Sequence, residues 1–338
     1  MTVISATYRV VTPMFLGDAN QKATGLRPPS VKGALRFWWR ALNWGRCQRD
    51  ASPATEALKW LYREEQRLFG TAAVVENDRP LGQGAFLLRI SQPSRIATDA
   101  TWPTNNTGSG YLGFGLMESG NPANNNDQPH REGIREGIEF GLELRFKPGT
   151  RSSDMDALLE TLRAWNLFGG LGSRARRGFG SVTLVKMNDQ EARLDRIAYE
   201  AAANAMLQTA AETTDFPPYT ALSRHTRFGI LTTGNEARMT HNQAGQLYKA
   251  HCSQASTLPN NLRSAAKIPF GLPLQGVDLD SRRASPLLFH IHALRDGSFA
   301  AAALYLPAEF HHERRYQPAD LTAFYREVAR FVPAEAHP

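Results

Sequence analysis

Residues 169–180 read Gly169-Gly-Leu-Gly-Ser-Arg-Ala-Arg-Arg-Gly-Phe-Gly180, with five glycines and three arginines in twelve positions. Immediately before them, Leu158, Leu159, Leu162 and Trp165 recur at helical spacing and predict a helix over Asp154–Phe168. Ser153 or Asp154 suits its start and Gly169 its C-terminal end. Immediately after, Phe179–Lys186 reads as a strand. Glycines let a backbone take positive φ and lie close against a ligand. Arginines supply permanently charged planar forks that match phosphate oxygens. A loop mobile in backbone and dense in guanidinium suits a polyanion.

This helix–loop–strand closes a longer pattern. Val3–Thr12 alternates as a strand, a helix follows over Ser30–Asn43, and Pro53–Phe69 offers a second, peripheral helix. Ala85–Ser91 and Ile138–Phe146 read as strands. The resulting βαββαβ order is ferredoxin-like, or RRM-like. Residues 92–137 form a long insertion between two strands; segments of that length are either functional or disordered. Residues 188–212 are alanine-rich and read as a linking helix, and Phe216-Pro-Pro-Tyr219 marks a boundary. Beyond it come a strand near Arg227–Thr233 and a helix near His241–Cys252. A hairpin pairs Pro286–Leu294 with Ser298–Leu306 around Asp296-Gly297, and a last helix spans Pro318–Phe331. The expected class is α+β, two ferredoxin-like domains in tandem with the second degenerate. Residues 1–187 form the first domain, and residues 188–338 the linking helix and the second.

The chain has 338 residues, 42% hydrophobic and 21% charged, the composition of an ordinary globular protein. No apolar run approaches the roughly 20 residues of a membrane span. The N-terminus lacks the basic start and apolar centre of a secretory signal, which predicts a cytoplasmic protein without a membrane partner. Cys47 and Cys252 sit in no CxxC pair, so a thiolate metal site has no support.

The net charge of +7 is concentrated. Residues 19–49 hold seven basic residues and residues 161–188 five, with no acid in either window, so the rest of the chain is net negative. Confined positive charge is the footprint of a nucleic-acid binder. The first window contains the helix Ser30–Asn43, capped by Ser30 after Pro28-Pro29. On a helical wheel Val31, Ala34, Leu35, Trp38, Ala41 and Leu42 gather on one face, while Lys32, Arg36 and Arg40 form a separate stripe bordered by Trp39. Trp38 therefore reads as core, and Trp39 as a stacking platform for a base, with simple edge packing as the alternative. Like charges four apart repel, and Gly33 costs the helix roughly 1 kcal/mol, so an anionic partner is expected to repay both.

Thr12-Pro-Met-Phe-Leu-Gly-Asp18 and Leu26-Arg-Pro-Pro-Ser-Val-Lys-Gly-Ala-Leu-Arg-Phe-Trp-Trp-Arg-Ala41 resemble the N-terminal signature of the RAMP superfamily of CRISPR-associated proteins. Within it, they are most similar to the family numbered one among the subunits of type III-B (Cmr) effector complexes. The 169–180 loop is similar to the superfamily's glycine-rich loop, and Arg282-Arg-Ala-Ser-Pro-Leu287 resembles the start of a late strand. The resemblance implies a non-catalytic subunit without cofactor. Its partners would be guide RNA near the 3′ end, target RNA as a further strand, and other RAMP subunits. Carried over by position, the implied RNA contacts are Lys32, Arg36, Arg40, Arg174, Arg176 and Arg177, with Arg282 and Arg283 extending the set into the second domain.

The competing reading is a RAMP-type endoribonuclease. Its candidates for a general base are His290 and His292 on one face of a strand, the pair His311-His312, and Asp18 in a Gly-Asp turn. No third metal ligand accompanies either histidine pair. The loop lacks the Gly-Lys-Ser/Thr ending of a P-loop and precedes a strand, not a helix.

Overall fold

In strand β1 (Val3–Val10), Ile4, Ala6, Tyr8 and Val10 are buried and the residues between them are not. The computed structural model describes residues 2–51, 53–76, 79–116, 129–209, 216–254, 270–274, 278–309, 326 and 329–333. After β1 come helices α1 (Pro28–Asp50) and α2 (Ala54–Phe69), a hairpin β2 (Gly70–Glu76) and β3 (Arg79–Gln83), and strand β4 (Phe86–Ser91). The insertion contributes β5 (Thr98–Asp99), the short helix α3 (Gly108–Leu112) and β6 (Gly133–Ile134). Strand β7 (Glu139–Phe146), helix α4 (Ser152–Phe168), β8 (Val182–Met187) and β9 (Gln190–Glu191) complete the N-terminal half. Helix α5 (Arg196–Gln208) leads to β10 (Arg227–Gly234), α6 (Ala237–Gln254), a small hairpin β11 (Leu272–Leu274) and β12 (Asp278–Arg283), then β13 (Leu287–Ala293) and β14 (Phe299–Tyr305).

The first sheet runs β4-β7-β1-β8-β9, antiparallel throughout, with α1 and α4 as crossovers. That is the βαββαβ arrangement read from the sequence. Its inner face, including Tyr8, Phe86, Phe140 and Phe146, packs under the helices. Its open face carries Ser5, Thr7, Arg9, Leu87, Arg89, Glu143 and Arg145, and no aromatic. An RRM stacks bases on aromatics of that face. Here any stacking must happen elsewhere.

The second sheet runs β10-β14-β13, antiparallel, and both of its faces are covered. Ala300, Ala302 and Leu304 of β14 face the core shared with α4 and α5, whereas Ala301, Ala303 and Tyr305 face the core under α6. Phe15, Leu112, Leu116 and Phe179, all from the N-terminal half, belong to that α6 core. The two halves therefore share their interior. Most of the expected helix over Pro318–Phe331 and the pair His311-His312 lie outside the described residues.

The insertion is ordered where it is described. Its α3 packs backbone to backbone on α6, where Gly108 and Gly245 each leave no room for a Cβ. Arg238 of α6 donates to both carboxylate oxygens of Glu136, at 2.7 and 2.9 Å, and pairs with Asp99.

Three local expectations need correction. Helix α1 begins at Pro28, with extended Arg27 as N-cap, so the two prolines form its first turn instead of preceding it. Proline's fixed φ suits that position, and its missing N–H has no helical acceptor there anyway. Helix α4 begins at Ser152 behind Arg151 with no side-chain cap. Asp154 accepts a bidentate pair from Arg67 of α2 at 2.6 and 2.7 Å instead. Finally, Trp39 is 2% exposed and meets Phe69 edge-on at 6.0 Å, so it is a core residue and presents no stacking face. The wheel gave α1 a single packed face, but α2 covers a second flank.

Candidate nucleic-acid interface

The glycine-rich segment is a fixed seam between the two halves, not a mobile loop. Ser173 N donates to Phe15 O at 2.8 Å, and Phe289 N of β13 donates to Arg176 O at 2.9 Å. Between those anchors a tight turn closes with Arg177 N on Arg174 O at 2.7 Å. Thr12 Oγ1 and Ser181 Oγ both donate to Gly178 O, at 2.6 and 3.0 Å. Two buried histidines of the C-terminal half complete the attachment: His290 Nδ1 lies 2.9 Å from Gly169 O, and His241 Nε2 lies 2.9 Å from Arg177 O. Gly178 (φ 81°) and Gly180 (φ 60°) supply the left-handed turns the path needs.

The loop arginines divide by environment. Arg177 is inside the seam: its guanidinium lies over Tyr248 at 5.1 Å and Phe289 at 6.0 Å, and Nη2 reaches Phe270 O at 3.4 Å. Arg176 lies over the ring of Phe37 at 5.0 Å and touches Ser285 O at 3.4 Å. Arg174 is exposed, with positive φ, and donates from Nε to Phe114 O at 2.7 Å. None of the three has a carboxylate partner among the described residues. Burial, then the neighbouring Arg177 charge, lowers the pKa of both Arg174 and Arg176. An approaching anion relieves that penalty.

The basic stripe of α1 points another way. Arg40 donates to both oxygens of the buried Glu65 of α2, at 3.1 and 3.2 Å. Arg36 Nε is 3.8 Å from the same carboxylate, and its Nη2 donates to Gly70 O. Both are therefore engaged in packing α2 on α1. Lys32 has no carboxylate partner among the described residues; it lies 5.4 Å from the Phe86 centroid, and burial with the Arg36 and Lys147 charges lowers its pKa. Arg282 and Arg283 end β12, and their side chains lie outside what is described.

What faces the seam from α1 is apolar. Ala34, Phe37 and Trp38, with Phe168, Leu288 and the backbone of Gly169–Gly172, line a cleft of about 230 Å³ that Arg176 borders. Phe37 is half-buried, a ring at a cleft with a guanidinium beside it. The sequence did hold a signal for it. Phe37-Trp-Trp39 puts three aromatics on successive positions of one helix, which point about 100° apart and cannot share one core face. Trp39 was expected outside; the residue at the cleft is Phe37.

The nuclease candidates are occupied with structure. Asp18 Oδ1 accepts from the backbone of Asn20 and Lys22 at 2.8 and 3.0 Å, and the Lys22 bond leads the effects that lower its pKa. His290 and His292 do share one face of β13, where they are buried, joined at 3.3 Å, with His292 stacked on Tyr199 at 4.0 Å. Among the described residues no three side chains form a metal-binding group, and no helix is long and apolar enough to cross a membrane.

The model of the RAMP superfamily matches residues 7–183, the span from the middle of β1 to the first two residues of β8. The chain belongs to the RAMP superfamily. Among curated proteins, this RAMP protein is 24% identical over 319 residues to the CRISPR system Cmr subunit Cmr1-1 of Pyrococcus furiosus, covering 86% of this chain and 83% of the relative. Its fold is similar to the crystal structure of apo Cmr1 from Pyrococcus furiosus, with a TM-score of 0.62 at 19% identity over 98% of each chain. A chain from the cryo-EM structure of a type III-B Cmr-beta bound to cognate target RNA is also similar. There the TM-score is 0.57 at 12% identity, covering 98% of this chain and 99% of the other.

Proposed function

We propose that this RAMP protein is a non-catalytic RNA-binding subunit of a type III-B CRISPR effector complex. It contacts guide RNA near the 3′ end and target RNA as a further strand, beside other RAMP subunits. The observation that carries the reading is Arg176, without an acidic partner among the described residues, bordering a cleft one side of which is the Phe37 ring, with Arg174 exposed two positions earlier in the same loop. A guanidinium beside a stacking surface is the pairing that single-stranded RNA uses, phosphate on the cation and base on the ring. The relatives support it, since one is named as a Cmr subunit and another belongs to a complex bound to target RNA. Lys32, Arg174 and Arg176 make the direct contacts, and Arg282 and Arg283 extend them. Arg36 and Arg40 reach RNA only by releasing Glu65, and Arg177 positions the loop. In this reading residues 1–187 and 188–338 are two ferredoxin-like domains. The second is degenerate, and β10, β13 and β14 supply three of its four strands.

The test is binding of the full chain to a labelled single-stranded guide-like RNA across a salt series, with the RNA run afterwards on a denaturing gel. With about three phosphates neutralised, log K should fall with log[salt] at a slope near −2, and the RNA should emerge intact. Absence of binding at low salt would sink the reading. Shortened RNA, restored to full length by Asp18→Asn, would make the protein a nuclease.

A further inference from the structure

We infer that Phe114 is a base-stacking residue, presented beside Arg174 by the insertion; this rests on the RNA-binding reading and adds a contact outside the cleft. Phe114 is 81% exposed, although its neighbours two positions away, Leu112 and Leu116, are 3% and 0% exposed and anchored in the α6 core. The backbone on either side is tied down, with Gly113 N on Ser109 O at 2.8 Å, Leu116 N on Gly113 O at 2.7 Å and His130 N on Leu116 O at 2.9 Å. The ring is thus held outward by a fixed chain. An isolated phenylalanine in water gains nothing for the fold.

Its surroundings select the ligand. The Phe114 carbonyl accepts from Arg174 Nε at 2.7 Å, which ties a cation without a carboxylate partner among the described residues to the backbone of the same residue. Gly115 (φ 85°) provides the seat, since a Cβ there would collide with Arg174 Nη2. The charges of Arg177 and Arg131 both act on Arg174, and Arg131 is bonded only to His130 among the described residues, at 2.8 Å. An exposed aromatic residue tied to an arginine fits a base with its phosphate better than an apolar protein surface. Every base has a π-face, so such a contact adds affinity without reading sequence. The insertion thereby holds Arg174 by its Nε on the residue that carries the ring.

The experiment uses the full chain and a single-stranded RNA carrying 2-aminopurine. Phe114→Ala should weaken binding about tenfold at every salt concentration, because stacking is not a counterion effect. The salt slope should stay unchanged, and the fluorescence quenching seen with the native chain should be lost. Phe114→Tyr should restore both. Arg174→Ala should instead make the slope shallower by about 0.7. Native affinity and quenching in Phe114→Ala would overturn the inference while leaving the RNA reading standing. That outcome, combined with failure of the variant to assemble with other subunits, would make Phe114 a protein contact. No RNA binding by the native chain would overturn both.

Discussion

Between pH 7.5 and 5.5 the protein should lose about 4 kcal/mol of folding stability, a large share of the roughly 5–15 kcal/mol a domain has. The cause is three buried histidines, His241, His290 and His292, each at most 2% exposed. Burial is the leading cause that pushes the pKa of His241 down to about 4, that of His290 to about 3 and that of His292 well below its ordinary value. Their partners need neutral rings. His241 donates from Nε2 to Arg177 O and is left to accept from Ser109 Oγ at Nδ1, 2.9 Å away. His290 donates from Nδ1 to Gly169 O, so its Nε2 must accept from His292. In the unfolded chain these rings take up protons near pH 6.5. Stability is therefore full above that value and falls as pH drops toward the folded values, by about 1.4 kcal/mol per unit and ring. Ionised carboxylates such as Asp99, whose pKa is lowered, contribute above about pH 4 and lose their share only below it. The window from 6.5 to 5 thus belongs to the histidines. Thermal melting at half-unit steps checks this, and an unchanged Tm from 7.5 to 5.5 would contradict it.

Gly180→Ala should cost about 3 kcal/mol or more, a large fraction of a typical domain's stability. At φ 60° a side chain is strained, and a Cβ at this position would collide with Leu171 O. Relief is not local. Gly180 N donates to Pro13 O at 3.0 Å and Gly180 O accepts from Leu171 N at 2.9 Å, so moving this residue pulls on β1's exit and on the loop's first half. Gly33→Ala is the control: it faces open space in an exposed helix position, and should be neutral or stabilising. Denaturant unfolding measures both. A loss below about 1 kcal/mol in Gly180→Ala would mean the loop yields, contrary to a pinned seam.

The main helices and strands of the two large sheets were legible because their signals are local, whereas the hairpin of β2 and β3, the short α3 and the hairpin of β11 and β12 were not read. The alternation of Val3–Val10, the leucines of α4 and the Asp296-Gly297 turn each mark an element within a few residues. The strand order followed from the βαββαβ sequence of elements. The site was legible only in part. Glycine and arginine density located the seam, but not that His290 and His241 hold it from the other half, contacts spanning 121 and 64 residues. Charge spacing identified Lys32, Arg36 and Arg40, yet only the tertiary fold shows Glu65 taking two of them. Phe37 and Trp39 differ by two positions, and which one meets the cleft depends on where α2 packs.

RNA binding by the double variant Arg174→Ala/Arg176→Ala, compared with the native chain over a salt series, is the most direct measurement. Arg177 is left in place because Tyr248 and Phe289 pack on it, so folding is preserved. Binding by these two loop arginines predicts weaker affinity at low salt and a slope shallower by about 1.4, two phosphates' worth for a single strand. Native affinity and native slope in a folded double variant would contradict it.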